Sequence, residues 1–354
     1  MKARLDFSSA ESILSRAVAK MAFPAAVAEV GSHTEVIWEE AFGSIGGVSK
    51  RRATQATMFD LASLTKVIVT TTLAMRAVDI GRLCLSDRLS SYLREWKGVE
   101  REIVTIEDLL GHSSGLTAHL PFFLDHTNQK EFEYSICALP LEYAPRTLSL
   151  YSDLGFMLLG FILADVDPNH YSLDKQFQFL AKSQEWSELC YCPPPVLRDR
   201  TAVTEFDSWR GRSAHGEVHD ENAWALGGVA GHAGLFGTAR GVGQFAQQIL
   251  RTFRGDETLV SQSIMDYFAK KTSVPKSSRA LGWDTMLPTS SCGTKMSFAS
   301  IGHTGFTGTS LWIDPRADIY IVLLTNRVNP SRQNNSILEV RPRFHDAVMD
   351  AAFS

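Results

Sequence analysis

The sequence has no apolar segment long enough to cross a membrane. Its longest candidates, residues 67–75 and 156–164, fall well short of the roughly 20 apolar residues that a membrane helix needs. Charged residues interrupt the N-terminal segment 10–28, which therefore does not match the apolar core of a signal peptide. We expect no membrane span and, for the chain as given, a cytoplasmic protein. A periplasmic or extracellular location would follow if a leader had been removed.

The chain also lacks an excess of positive charge and a disulfide-type cysteine pattern. The formal net charge is −4, and no run of lysine or arginine forms a basic arm, so a nucleic-acid partner is not expected. The five cysteines are an odd number without the spacing of a disulfide framework, which predicts reduced, mostly structural thiols. The composition, 44% hydrophobic and 21% charged over 354 residues, is that of a globular protein with a sizeable core.

Strand patterns occur at both ends of the chain, whereas helical and irregular patterns fill the middle. Clusters of β-branched and aromatic residues predict strands at residues 25–30, 35–42, 296–301, 309–313 and 318–324. Apolar stripes predict helices at residues 9–21, 240–251 and 344–352, and the polar segment 43–57 is predicted to be a loop.

This order of patterns predicts a mixed α/β (α+β) fold. An antiparallel sheet built from the N- and C-terminal segments is expected to be flanked by helices and to carry an inserted, mainly helical subdomain. We expect a single domain over residues 1–354. Its sheet subdomain would comprise about 1–62 and 226–354, and its helical subdomain about 63–225.

Ser63 and Lys66 stand three residues apart at the start of a long apolar segment. On a helix, this spacing puts the hydroxyl and the ammonium on one face, close enough to share a proton. Serine becomes a useful nucleophile when a neighbouring base accepts its proton, and free N–H groups at a helix N-terminus favour an oxyanion. The same pair also fits an ordinary helix start with a solvated lysine, so it does not identify a catalytic site by itself.

Two later stretches could contribute to the same chemistry. Tyr151-Ser152-Asp153 precedes an apolar helix, where the tyrosine hydroxyl could be held at an edge; the alternative is a simple helix cap. Gly302-His303-Thr304-Gly305 lies at a predicted strand edge, where glycines let the backbone approach a ligand. The alternative there is a glycine-rich turn with a packed histidine.

A group of histidines and acids invites a metal interpretation. An i, i+4 histidine pair on a helix can bind zinc, but Gly216 and the lack of an apolar pattern argue against a helix here. We interpret the group as a hydrogen-bonded loop cluster beside the pocket, and we interpret His112 as loop structure. The residues of the group are His215, His219, Asp220, Glu221 and His232.

In this order, Ser63-x-x-Lys66, Tyr151-Ser152-Asp153 and His303-Thr304-Gly305 resemble the three-motif signature of serine penicillin-recognising enzymes. Within that group the chain looks like the branch of class C β-lactamases, D-alanyl-D-alanine carboxypeptidases and β-lactamase-like esterases. The resemblance implies a serine hydrolase that forms an acyl-enzyme at Ser63 without a cofactor. The resembling stretches are 59–93, 109–116, 148–160, 227–245 and 302–326.

The resemblance also implies a role for individual residues. Ser63 would be the acylated nucleophile, Lys66 its proton acceptor or the group that holds the base, and Tyr151 the proton relay to the leaving group. The backbone N–H groups of Ser63 and Phe306 would form the oxyanion hole. The substrate-binding residues would be Asp153, His303, Thr304 and Gly305.

Two departures from the family pattern bear on the substrate. Asp153 stands where many relatives have asparagine, and His303 stands where lactamases usually have lysine. A histidine is only partly charged near pH 7, so recognition of an anionic β-lactam should be weaker. We expect a small ester, amide or peptide-like substrate and an esterase or D-alanyl-D-alanine-peptidase-like activity, with weak or no β-lactamase activity. The alternative is a penicillin-binding sensor or pseudo-enzyme without efficient turnover. The motifs do not indicate an oligomeric state.

Overall fold

The computed structural model describes residues 5–46 and 51–353. Part of the predicted loop at 43–57, residues 47–50, therefore lies outside the described residues. The helices are α1 Ser8–Ala19, α2 Thr72–Asp79, α3 Ile106–Leu110, α4 Gln129–Ala138, α5 Asp153–Asp165, α6 Leu173–Ser183, α7 Glu221–Ala225, α8 Ala239–Thr252, α9 Gln262–Ala269 and α10 Ile337–Ala352. The strands are β1 Ala25–Gly31, β2 Val36–Gly43, β3 Phe59–Asp60, β4 Leu189–Tyr191, β5 Phe206–Asp207, β6 Arg212–Ser213, β7 Leu235–Gly237, β8 Asp284–Thr285, β9 Ile301–Thr304, β10 Ser310–Asp314 and β11 Ile319–Thr325.

The central sheet joins the two ends of the chain. It has six strands in the order β2-β1-β11-β10-β9-β8, and all its described pairings are antiparallel. The apolar residues of β1 alternate between its two faces: Ala26 and Ala28 pack with α1 and α10, whereas Val27 packs with α8. Helices thus cover both faces, which explains why β1 and β11 are buried throughout. The predicted mixed fold with an antiparallel sheet is confirmed, while the subdomain boundaries at about 62 and 226 stay a prediction.

A second, three-stranded sheet brings the Ser63 segment beside the glycine-rich stretch 227–237. Strand β3 pairs with β7, so that Asp60 lies opposite Phe236, and β4 pairs with the other side of β7. The glycine-rich stretch also packs against α5. A Cβ atom at Gly231 would lie 2.1 Å from the carbonyl oxygen of Phe156, so this approach requires glycine.

Two predicted elements have wrong boundaries. The strand predicted at 296–301 lies instead at β9, because Asp314 accepts hydrogen bonds from the backbone N–H and hydroxyl of Ser297 at 2.6 and 2.7 Å and turns that segment. The closing helix α10 begins before 344 and contains Pro342 in its interior. Proline disfavours helix interiors, but packing of the apolar face of α10 against the sheet outweighs this preference.

Candidate active site

Ser63 lies in a tight turn between β3 and the helix that follows it. The turn is set by Ala62, whose φ of 47° is left-handed, and by the Asp60 carboxylate, which accepts the Ala62 N–H at 2.8 Å. The helix then begins with a π-helical stretch, Lys66–Thr71, before α2. The predicted placement of Ser63 at a helix N-terminus is therefore what the structure shows, although the first complete turns are wider than an α-helix.

Lys66 is fully buried behind Ser63. Its Nζ atom donates to Ser63 Oγ and to the carbonyl oxygen of His232, each at 3.0 Å, and lies 2.7 Å from Asp153 Oδ1. Burial alone would lower the pKa of the ammonium, but Asp153 and Tyr151 outweigh burial and hold this pKa above its ordinary value. Lys66 is therefore an ammonium in an ion pair at neutral pH.

Asp153 carries the matching negative charge. Burial alone would raise the pKa of its carboxyl group, but Lys66, with help from His119, holds that pKa well below its ordinary value. His119 Nδ1 lies 3.7 Å from Asp153 Oδ2, on the side of the carboxylate that faces the cavity. This contact raises the pKa of His119. The Asp153 carboxylate is thus compensated mainly by the buried Lys66 ammonium, and His119 contacts it from the cavity side.

Tyr151 stands beside this ion pair with its hydroxyl buried. In the described part of the chain, no atom meets hydrogen-bond geometry with the hydroxyl. Its pKa is raised by burial, against the opposing effect of Lys66, so the phenol is neutral at pH 7. The ring contacts His112, with centroids 4.6 Å apart, and His303, with centroids 5.7 Å apart.

His303 also presents an unpaired atom. Its Nδ1 lies 2.8 Å from the carbonyl oxygen of Thr304, and since a carbonyl only accepts, Nδ1 carries the proton. Burial, followed by the positive charges of Arg279 and Lys66, holds the pKa of His303 well below its ordinary value, so the ring is neutral. Its Nε2 is then a free acceptor, and no partner for it occurs among residues 5–46 and 51–353. The His303 ring is therefore neutral near pH 7, whereas the ordinary pKa of histidine predicts partial charge there.

The loop after β9 brings Phe306 next to the Ser63 turn. A Cβ atom at Gly305 would lie 2.6 Å from the carbonyl oxygen of Leu61, so the two segments are in close contact. Arg327 Nε donates to the carbonyl oxygen of Phe306 at 2.7 Å and fixes the orientation of that residue. Neither the N–H of Ser63 nor the N–H of Phe306 has an acceptor within the described ranges. Two free N–H groups beside one serine are the arrangement that an oxyanion hole needs.

These groups surround a cavity of about 690 Å³. All the sequence-predicted site residues line it except Lys66, which lies beneath its floor. They are Ser63, Tyr151, Asp153, His303, Thr304, Gly305 and Phe306. The structure therefore brings together the predicted residues from three distant segments. Their roles stay a prediction.

Four arginines also line the cavity: Arg279, Arg327, Arg332 and Arg341. Arg332 forms ion pairs with Glu205 and Glu221. In contrast, Arg279, Arg327 and Arg341 have no carboxylate within ion-pair distance in the part of the chain that the structure describes. Arg327 instead donates to the backbone carbonyl oxygens of Phe306, Arg332 and Asn334. Arg341 is only 4% exposed, and burial together with Arg327 lowers its pKa to about 10. No sequence pattern indicated Arg279 or Arg341 as site residues.

The histidine and acid cluster forms separate pairs beside the cavity. His219 Nε2 pairs with Glu205 at 2.9 Å, and His232 Nε2 pairs with Asp220 at the same distance. His215 Nε2 lies 3.0 Å from a backbone carbonyl oxygen. Among the described residues, no group of three or more histidine, cysteine, aspartate and glutamate side chains is placed to hold a metal ion.

His112 is a residue that the sequence interpretation missed. It adopts a left-handed φ of 53°, and its Nδ1 accepts the Ser152 N–H at 3.0 Å. Its ring packs on Tyr151 and on Phe156. His112 therefore holds the second motif in place. Its position in a loop of small polar residues, Gly111–Leu116 in the sequence, was the available signal, and it suggested a loop without indicating this contact.

Comparisons with known proteins agree with this fold. The family model described as Beta-lactamase matches residues 10–340. The chain is 32% identical to a Salmonella gallinarum protein provisionally assigned as a D-alanyl-D-alanine carboxypeptidase, over 78% of this chain and 71% of that protein. It is 31% identical to the N-acetylmuramyl-L-alanine amidase of Bacillus subtilis, over 86% of this chain and 77% of that protein.

Among solved structures, EstCE1, a hydrolase with promiscuous acyltransferase activity, has the same fold. Its TM-score is 0.78 at 21% identity, and the match covers 98% of each chain. The chain belongs to the Beta-lactamase family of serine hydrolases. The resemblance recognised from the three ordered motifs is thereby confirmed. In the described residues, no helix is both long and apolar enough to span a membrane.

Proposed function

We propose that the protein hydrolyses an amide or ester bond through an acyl-enzyme at Ser63. The proposal rests on the position of Ser63 Oγ, which lies 3.0 Å from the ammonium of the buried Lys66 and faces the cavity. The free N–H groups of Ser63 and Phe306 would bind the negative charge that develops on the substrate carbonyl oxygen. Neither step requires a cofactor.

The protonation states favour a specific route for the serine proton. Lys66 and Tyr151 both hold protons at rest, so the Ser63 proton leaves by a relay through Tyr151, which lies within reach of Ser63. In this route the Tyr151 oxygen takes the Ser63 proton and Tyr151 gives its own hydroxyl proton to the leaving group, while Ser63 Oγ bonds to the carbonyl carbon and the bond to the leaving group breaks. The neutral His303 ring, with its centroid 5.7 Å from that of Tyr151, would position the phenol.

The unpaired arginines indicate the kind of substrate. A guanidinium without a carboxylate partner inside a cavity favours an anionic ligand, because a charge-assisted hydrogen bond is stronger than a neutral one. Arg279 and Arg341 would therefore bind a carboxylate on the substrate, near His303 and Thr304. The names of the two curated relatives denote cleavage of amide bonds in peptide-like molecules. We propose a peptide-like amide with a free carboxylate as the preferred substrate, ahead of simple esters and β-lactams.

The alternative of a sensor without turnover is not favoured, because the curated relatives are named as hydrolases. The cytoplasmic location stays a prediction.

Intact-protein mass spectrometry with parallel rate measurements tests the proposal. Wild type, Ser63→Ala and the exposed control Ser8→Ala would each be mixed with p-nitrophenyl butyrate, a penicillin and an N-acyl peptide ending in D-alanyl-D-alanine. We expect wild type and Ser8→Ala to turn over the peptide or the ester, and Ser63→Ala to do neither. Equal behaviour of Ser63→Ala and wild type would show that Ser63 is not the nucleophile. A penicillin adduct that persists for hours without turnover of any substrate would favour the sensor.

A further inference from the structure

Asp60 is a buried carboxylate that the proposed chemistry does not use. It lies in β3, with 2% of its surface exposed. Its two carboxylate oxygens accept two backbone N–H groups, from Ala62 at 2.8 Å and from His219 at 2.6 Å. Its own carbonyl oxygen accepts the hydroxyl of Thr307 at 2.8 Å. One residue thus connects three segments that are distant in the sequence.

Two of these connections end one residue away from the proposed oxyanion hole. Ala62 precedes Ser63 directly, and its left-handed φ sets the direction of the Ser63 N–H. Thr307 follows Phe306 directly, so the hydrogen bond from its hydroxyl anchors the loop one residue after the second N–H. The two proposed donors therefore belong to segments that meet at Asp60.

The third connection supports the same loop from another direction. The His219 ring stacks on the Phe306 ring, with centroids 5.6 Å apart and planes at 27°. Because Asp60 Oδ2 accepts the His219 N–H, it also fixes the backbone from which this ring projects. A displacement of His219 would leave the half-exposed Phe306 without one of its packing partners.

The chemistry of Asp60 fits this arrangement better than an amide or an apolar side chain would. Each of two converging N–H groups needs an acceptor, and a carboxylate offers two acceptor atoms. Asparagine would turn an NH₂ group toward one of them. Burial raises the pKa of Asp60, so the anion is disfavoured at this place. In the described ranges no cation forms an ion pair with it. A buried anion held by N–H groups alone is destabilising, which points to a role beyond packing.

We propose that Asp60 is a positioning residue for the oxyanion hole. Its carboxylate and carbonyl hold the Ser63 turn and the Phe306 loop at the separation at which both N–H groups reach one oxygen atom. This inference rests on the proposed acyl transfer at Ser63. Since the two N–H groups would bind the transition state more strongly than the substrate, loss of Asp60 should lower kcat and leave KM nearly unchanged.

The test compares Asp60→Asn with Asp314→Asn. Asp314 is also a buried carboxylate that accepts backbone N–H groups, from Ser297 and Arg316, but it does not line the cavity. For each variant we would measure kcat and KM with p-nitrophenyl butyrate, the inhibition constant of phenylboronic acid, and Tm. Boronic acids form a tetrahedral adduct with a serine nucleophile, so they report on the oxyanion hole.

We expect Asp60→Asn to lower kcat and to weaken boronate inhibition by roughly 10²-fold each, as small misplacements in active sites do. KM should change by less than about threefold, since uniform binding is unaffected. Asp314→Asn should lower Tm without either effect. If the two variants lose Tm alike and both retain kcat and boronate inhibition, Asp60 is merely structural and the proposal is wrong.

A second variant covers the case in which Asp60→Asn does not fold. Thr307→Val removes the hydroxyl that binds the Asp60 carbonyl and keeps the carboxylate. It should lower kcat by about tenfold at unchanged KM, because one of the connections is lost. An unchanged kcat would contradict the proposal.

Different results would contradict the proposed function and the proposed role of Asp60. If wild type forms no Ser63-dependent boronate adduct, the proposed function is wrong and the role of Asp60 is wrong with it. If wild type is active and the Asp60 and Thr307 variants keep its kcat, only the role of Asp60 is wrong.

Discussion

The two walls of the cavity differ in whether their charged groups have partners of opposite charge. The catalytic wall, formed by Ser63, Tyr151 and Asp153 with Lys66 beneath them, contains a buried ammonium and a carboxylate 2.7 Å apart. The arginine wall, formed by Arg279, Arg327, Arg332 and Arg341, includes three guanidinium groups without a carboxylate partner in the residues described. The catalytic wall is thus electrostatically complete in the free protein, and the arginine wall is not.

We infer from this difference that the catalytic wall performs the reaction and that the arginine wall recognises the substrate. Groups that stabilise a transition state work best when they are already oriented, as in a closed ion pair. A buried cation without a partner is unfavourable until an anion arrives, so it discriminates between ligands by their charge.

Lys66→Met should abolish activity and destabilise the protein. It removes the cation beside Ser63 and leaves the Asp153 carboxylate buried without its main partner. Loss of such a partner costs about 3–5 kcal/mol, and loss of a group from a nucleophile triad lowers kcat by roughly 10³-fold or more. Urea denaturation and the rate of p-nitrophenyl butyrate hydrolysis measure the two effects separately.

The double variant Lys66→Met/Asp153→Asn is the control for this prediction. Removing the carboxylate should restore most of the lost free energy of unfolding, because no unpaired charge is left, while activity stays absent. If the double variant is as unstable as the single variant, the Lys66 and Asp153 charges do not stabilise each other and the catalytic wall is not a closed ion pair.

Tyr151→Phe should lower kcat by roughly 10²-fold, since general acid–base groups contribute about that much. His303→Ala should lower kcat less, because His303 acts by positioning Tyr151, and the double variant should be about as slow as Tyr151→Phe alone. A double-mutant cycle of kcat measures this coupling. Effects of the two variants that multiply would show that the two residues act independently, and the proposed positioning of Tyr151 by His303 would be wrong.

The catalytic wall could be predicted from the sequence more easily than the arginine wall, and the reason is physical. Ser63 and Lys66 are three residues apart on one element, so local spacing was sufficient to pair them. Tyr151 and His303 needed the order of three motifs, because no local pattern shows that distant segments meet. The contacts of His119 with Asp153, and the role of His112, depend on loop conformations that sequence periodicity does not encode.

Arg341 illustrates the limit of the sequence interpretation most clearly. The predicted closing helix began at 344, after Pro342, so Arg341 fell outside every predicted element. The observed α10 runs through the proline and turns Arg341 into the cavity. The strand predicted at 296–301 was misplaced for a related reason, since the Gly302-His303-Thr304 pattern of the observed β9 is also typical of a turn. In both places tertiary packing outweighed the local preference.

Arg341→Gln should impair recognition without impairing the chemical step. We expect KM for an N-acyl peptide with a free carboxylate to rise by roughly tenfold or more, since a hydrogen bond to a charged group contributes about 1.5–3 kcal/mol. KM for uncharged p-nitrophenyl butyrate should stay the same. Arg316→Gln, at an exposed turn outside the cavity, is the control. Equal losses on both substrates would show that Arg341 supports the fold of the site and does not bind the carboxylate.

The last and weakest effect concerns His345, which lies behind the arginine wall on α10. Its Nδ1 donates to the Arg341 carbonyl oxygen at 2.8 Å, and burial, with a further effect of Arg341, lowers its pKa to about 4. The unfolded chain binds a proton below about pH 6.5, whereas the folded protein does not, so stability is present above that pH and is lost as pH falls. At pH 5 this loss amounts to about 2 kcal/mol for His345 alone.

His345→Leu should therefore reduce the difference in the free energy of unfolding between pH 7 and pH 5 by about 2 kcal/mol, because its side chain does not titrate. Urea denaturation at both pH values measures the difference, and Val340→Ala, a change on the same helix that does not titrate, should leave it as in wild type. A His345→Leu variant with the wild-type difference would mean that the ring accepts a proton in the folded state. The arginine wall would then tolerate another cation nearby, and its selectivity for an anion would need a source other than unpaired positive charge.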